Sequence, residues 1–127
     1  MKIAVVGIGY VGLSNAILLS QNNPVTLLDI DKSKVDLINS KKSPIVEKTI
    51  TSYLKNKNLD LIATNDSSSA FQDKDFIIIA TPTNFDLDTN KFDTSIVDLV
   101  IREAHLKNPK AMIIIKSTVP IGYTDAI

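Results

Sequence analysis

Cysteine and tryptophan are absent from the 127 residues, and histidine occurs once. Without a thiol the chain forms no disulfide, holds no thiolate metal site and carries no cysteine nucleophile. Net charge is missing as well, since fourteen basic residues balance fourteen acidic ones. That balance leaves no field to draw in nucleic acid or an anionic membrane, and no like-charge block of the kind found in disordered tails. Any partner is therefore recognised locally. Apolar runs are only about five or six residues long, too short to span a bilayer. Met1-Lys2 leads directly into a strand-like segment with no signal-peptide core. The expected location is the cytoplasm.

What is present suffices for one core. With 44% hydrophobic residues, a chain of this length buries roughly two-thirds of the surface it exposes when unfolded. Lys2 to Val6 is a short apolar run of the type buried on both faces of a sheet, and it ends in a glycine cluster. Leu13 to Gln21, rich in Leu and Ala, predicts a helix. Val25 to Ile30 predicts a second strand after the turn residues Asn22-Asn23-Pro24. Asp31 is placed to cap a helix carrying Val35 and Ile38, which Ser43-Pro44 stops. Val46, Ile50, Tyr53 and Leu54 recur at helical spacing. Leu61 to Thr64 is a weaker strand, and Asp66 with three serines opens a short helical turn. Phe76 to Ala80 is a strong buried strand, and Asn84 to Lys91 reads as a surface loop. Asp93 or Thr94 caps a long helix with an apolar stripe of Ile96, Val97, Val100, Ile101 and Ala104. Met112 to Ile115 is the last strand. No repeat, linker or low-complexity tract divides the chain.

Strands alternating with helices imply an α/β, doubly wound parallel sheet with right-handed crossovers and helices on both faces. The expected strand order is 3-2-1-4-5. Ligands of such sheets bind beyond the carboxyl ends of the strands, where the order reverses between strands 1 and 4. Function is therefore sought just after Val6, Ile30, Ala80 and Ile115.

Gly7-Ile8-Gly9-Tyr10-Val11-Gly12 occupies the first of these places. A bare G-x-G-x-x-G is weak, because glycines also mark ordinary turns. Here it follows a buried strand, opens a helix, and is followed by Asp29 at the end of strand 2, which completes the Rossmann-type fingerprint. Gly7 permits the tight turn, Gly9 lets a diphosphate approach the backbone, and Gly12 lets helix and strand pack closely. The helix N-terminus offers free N–H groups to phosphate oxygens. Asp29 sits where a carboxylate accepts hydrogen bonds from the adenosine ribose and repels a 2'-phosphate, so NAD is expected over NADP. The plainer alternative makes Asp29 a cap for the following turn, a task for which Asp31 is better placed. Lys32 and Lys34 work against the charge argument, since a lysine near the ribose tolerates a phosphate. Strand 4 runs into Thr81-Pro82-Thr83-Asn84, and strand 5 into Lys116-Ser117-Thr118-Val119-Pro120-Ile121-Gly122. Thr83 and Thr118 are candidates for the nicotinamide ribose or amide, although Thr-Pro and Thr-x-Pro also make ordinary turns. His105, on the long helix away from that edge, reads as a surface residue.

These pieces together resemble the N-terminal domain of the UDP-glucose 6-dehydrogenase family. The resemblance rests on Met1 to Ser14, on Ala80-Thr81-Pro82-Thr83-Asn84 with Phe92-Asp93-Thr94 after it, and on Ile115 to Gly122. It covers essentially the whole chain. The forms G-Y-V-G-L and K-S-T-V-P-x-G are more specific than a bare glycine fingerprint. The resemblance implies a two-step, NAD-dependent oxidation of the C6 alcohol of UDP-glucose to a carboxylate. It matches Val11, Asp29, Lys34, Thr83 and Thr118 to positions that contact NAD, with Tyr10 inside the same loop and Thr118 close to the reacting centre. It further implies a covalent thiohemiacetal and thioester on a cysteine that these residues do not contain. The chain is thus expected to be a truncated, inactive NAD-binding domain (residues 1–127), lacking a central helix and a UDP-binding domain and self-associating through its open fifth strand. A free-standing nucleotide-binding or redox-sensing module, and the NAD domain of a related nucleotide-sugar or hydroxyacyl-CoA dehydrogenase, are the alternatives. The K-S-T-V-P turn speaks against the hydroxyacyl-CoA enzyme.

Overall fold

In the computed structural model, residues 1–82, 84–89, 91–117 and 122–126 are described. Five strands form one parallel sheet: β1 (Ile3–Val6), β2 (Val25–Leu28), β3 (Leu61–Thr64), β4 (Phe76–Ile79) and β7 (Met112–Ile115). Their order is β3-β2-β1-β4-β7, so β7 is the fifth strand of the expected 3-2-1-4-5 arrangement. Register is regular, Ile3 lying opposite both Val25 and Phe76, and Phe76 opposite Met112. Because successive strand residues face opposite ways, the short apolar runs supply two cores. Ile3, Val5, Val25, Leu27, Ala63 and Ile78 face one layer, where Leu13, Ala16, Ile17, Val35, Ile38, Ile50 and Leu54 cover them. Ala4, Val6, Leu28, Ile77 and Ile79 face the other, beneath Phe71, Val97 and Ala104.

The covering helices are α1 (Tyr10–Ser20), α2 (Lys32–Asn39), α3 (Lys48–Asn56), α4 (Ser67–Phe71) and α5 (Ser95–Lys107), with a last turn, α6 (Tyr123–Ala126), after β7. Their starts follow from capping. The Asp31 carboxylate accepts from Ser33 N and that of Asp66 from Ser68 N, each satisfying an amide that has no partner within the helix. At α5 the N-cap position belongs to Thr94, but the Asp93 carboxylate makes the bond, accepting from Ser95 N at 3.0 Å.

Several expectations need correction. The polar stretch from Asn84 contains a hairpin: β5 (Asn84–Asp86) pairs antiparallel with β6 (Lys91–Asp93), Phe85 standing opposite Phe92. Three residues per strand is too short a run for period-2 patterning to stand out against a polar background. Val46 lies outside its helix and is fully exposed; the cap is Glu47, whose carboxylate accepts from Ile50 N at 2.7 Å. Ile96, 47% exposed, falls off the buried stripe of α5. Strand β2 ends at Leu28, and Ile30 is 98% exposed beyond it.

The two sheet edges differ. On β3, the Asn39 side chain mimics a neighbouring peptide, donating to Ala63 O at 2.9 Å and accepting from Ala63 N at 2.8 Å. No described segment pairs with the outer edge of β7, where Met112 is exposed and Ile113 to Ile115 are half-buried. No described helix is long and apolar enough to cross a membrane.

Candidate cofactor-binding site

The reversal of strand order falls between β1 and β4, and the glycine loop lies over it. Gly7 turns the chain with φ of 104°, a left-handed conformation that a side chain resists. A methyl there would also stand 2.7 Å from Ala80 O. Helix α1 begins at Tyr10, three residues before the expected Leu13, so Gly12 lies inside its first turn. A methyl at Gly12 would stand 1.9 Å from Gly7 O, so only glycine lets helix and loop pack this closely.

Gly9 is different, because a methyl there would meet no protein atom within 4 Å. Internal packing does not demand this glycine; what a side chain would fill is open space before the N-terminus of α1. Gly9 offers no side-chain cap, and among the described residues the first turn carries no acidic group. Neither the cap nor the first turn of this eleven-residue helix thus offsets its positive end. Such a cradle fits the diphosphate of a dinucleotide. Tyr10 and Val11, 62% and 45% exposed, flank it.

Asp29 is brought directly to this loop. Its backbone N–H donates to Thr64 O at 3.2 Å, extending the β2–β3 ladder. Its carboxylate accepts from Ile8 N through Oδ2 at 2.7 Å and from Asp31 N through Oδ1 at 2.9 Å. Asp29 thus caps the following turn, as the plainer sequence reading had it, and also faces the glycine loop. Asp31 caps α2 independently. The Ser33 hydroxyl, foremost, holds the Asp31 carboxyl below the usual carboxylate range. Lys34, half-buried in the first turn of α2, adds its backbone N–H and its charge to the same carboxylate.

Thr83 and Thr118 lie outside the described residues, but the described parts of their two turns meet. Ser117 Oγ donates to Thr81 O at 2.7 Å, and Lys116 N and Ser117 N donate to Ile79 O at 2.7 and 3.1 Å. Thr81 was missed as an individual residue in the sequence. It is 8% exposed, and among the described residues its Oγ1 has no hydrogen-bond partner. Its only signal was its place directly after a buried strand. Ile8 was also missed, being counted as a variable position of the fingerprint although its side chain is 1% exposed. His105 is exposed on α5, away from the glycine loop.

Comparison with known proteins agrees with this fold. The chain is 48% identical over its whole length to a UDP-glucose 6-dehydrogenase of Streptococcus pneumoniae, covering 32% of that protein. It is 50% identical, again along its entire length, to a UDP-glucose 6-dehydrogenase of Campylobacter jejuni, covering 33% of it. The chain thus spans about a third of these curated relatives. Its fold superposes with a TM-score of 0.90 on a GDP-mannose dehydrogenase of Pseudomonas aeruginosa, at 30% identity, over 98% of this chain and 30% of that one. A family model described as the UDP-glucose/GDP-mannose dehydrogenase family, NAD binding domain, matches residues 1–127. The chain belongs to this family, as its NAD-binding domain.

Proposed function

We propose that the chain is the NAD-binding part of a UDP-glucose 6-dehydrogenase, which oxidises UDP-glucose to UDP-glucuronate with two NAD. The observation that carries this reading is the open cradle at Gly9 in front of α1, with the Asp29 carboxylate 2.7 Å from the loop amide of Ile8. When bound, NAD would supply the hydride acceptor for oxidation at the sugar C6 carbon. The chain's own residues bind and orient it. Gly9, Tyr10, Val11 and Gly12 hold the diphosphate through backbone amides and the helix terminus, and Gly7, whose own amide donates to Leu28 O, makes the turn that presents them. Asp29 accepts from the adenosine ribose, and Lys34, in the first turn of α2, also contacts NAD. Ile30, exposed next to Asp29, offers adenine an apolar face. Thr83 and Thr118 bind the nicotinamide ribose or amide, and Thr118 lies near the reacting centre.

The covalent nucleophile of the whole enzyme lies outside these residues, none of which is a cysteine. These 127 residues, about a third of the length of the curated relatives, therefore produce no NADH from UDP-glucose by themselves. It works in the cytoplasm. It self-associates through the outer edge of β7, which no described segment pairs and which carries apolar side chains; a monomer in sedimentation at high concentration refutes this. The cofactor assignment is tested by titration calorimetry. NAD binds more tightly than NADP, and equal affinities overturn the choice of NAD.

A further inference from the structure

Resting on the cofactor reading above, we infer that Asp29 is also the positioning residue of the glycine loop, so that one carboxylate sets both cofactor choice and loop geometry. The β1–β2 ladder ends with Gly7 N donating to Leu28 O at 2.8 Å. The next amide, Ile8 N, follows the left-handed turn at Gly7 and has no strand to meet. Asp29 Oδ2 takes it at 2.7 Å. The post is rigid, because the Asp29 backbone is tied to Thr64 O and its second oxygen is held by Asp31 N. Ile8 is thereby pinned at two points, its side chain in the core and its amide on the carboxylate. Between these pins the loop presents Gly9 and the first amides of α1 to the open space where a diphosphate fits. Each carboxylate oxygen has two lone pairs, so ribose hydroxyls add to these bonds without displacing them.

The consequence separates this role from simple repulsion of a 2'-phosphate. If Asp29 only repelled the phosphate, Asp29→Ala would bind NADP more tightly than the parent. If it positions the loop, the variant loses affinity for NAD and NADP together, and a substitution at this position alone does not convert the specificity.

The test uses inorganic diphosphate, NAD and NADP with the 127-residue chain and its Asp29→Ala and Asp29→Asn variants, with amide exchange followed by NMR. Asp29→Ala is expected to speed exchange of the Ile8 amide and to weaken inorganic diphosphate, which does not reach the ribose site, each by about tenfold, as for loss of one hydrogen bond to a charged group. Asp29→Asn, with one acceptor oxygen, recovers part of both. Tighter NADP binding by Asp29→Ala, or unchanged diphosphate affinity with unchanged Ile8 exchange, overturns the inference. Failure of the parent chain to bind NAD is a separate result that sinks the cofactor reading; Ile8 exchange in ligand-free protein then still decides the loop role. Should Asp29→Ala fail to fold, Asp29→Asn alone decides through the same two readouts.

Discussion

Gly12 and Gly9 differ by three positions in one loop, yet alanine at each should damage a different property. At Gly12 the new methyl carbon stands 1.9 Å from Gly7 O, whereas even a close carbon–oxygen contact needs about 3.3 Å. Helix α1 must then withdraw by more than about 1 Å. The oxygen cannot rotate aside, being main chain, and Gly7 is fixed by its bond to Leu28 O at 2.8 Å. Leu13, Ala16 and Ile17, buried at 0 to 5% exposure, move with the helix and lose their fit against β1 and β2. Overpacking usually costs about 1–3 kcal/mol. With no flexible neighbour to absorb the overlap, Gly12→Ala belongs at about 3 kcal/mol or above, a large share of the ~5–15 kcal/mol that holds a domain folded. At Gly9 no atom lies within 4 Å and φ is −110°, which any residue adopts. Only the weaker capping preference of alanine is lost, about 1 kcal/mol or less. The methyl nevertheless occupies the space assigned to diphosphate, so NAD binding falls. Urea unfolding followed by circular dichroism reads the difference. With a slope of about 1.5 kcal/mol/M, Gly12→Ala lowers the midpoint by about 2 M and Gly9→Ala by less than about 0.7 M. Equal midpoints for the two variants, or a Gly9→Ala protein that binds NAD like its parent, would refute the reasoning.

Two further outcomes are expected. Burial first, and the Asp98 carboxylate that accepts its hydroxyl, push the Tyr123 phenol up to about 12. Folding therefore gains from this group below the ordinary tyrosine range and loses that gain as pH rises from about 10 to about 12. Alkaline unfolding with and without Tyr123→Phe checks it, and a variant with the parent's pH dependence counts against it. Thr81→Val removes a buried hydroxyl that lacks a partner among the described residues. Its melting temperature should match or exceed the parent's, because an unpaired buried polar group costs about 1–3 kcal/mol; a clear fall shows that the hydroxyl is paired in solution.

The sheet was legible in the sequence because its inner strands β1, β2 and β4 are buried on both faces and read as unbroken apolar runs between turn residues. Strand order followed from the alternation with helices and from the glycine loop, whose place after β1 marks the reversal. Legibility failed where a signal was short or nonlocal. The hairpin of β5 and β6 offers three residues per strand, and Val46 mimicked a helical stripe while Glu47, a less common cap, set the true start. At the site, residue types pointed to Gly9 and Asp29, but the bond from Ile8 N to Asp29 joins positions twenty-one residues apart and is visible only once β1 and β2 are side by side. The buried Thr81 hydroxyl belongs to the same class, its environment being set by the glycine loop and the end of β7.

The central claim, that NAD lies across the carboxyl edge of the sheet with its diphosphate before α1, is tested most directly by mapping amide NMR shifts during titration with NAD. The largest changes are expected at Gly7 to Leu13, at Asp29 to Asp31 and at Thr81, with the opposite end, around Asn23 and Asp73, unmoved. Shifts concentrated at that opposite end, or none at saturating NAD, would contradict the claim.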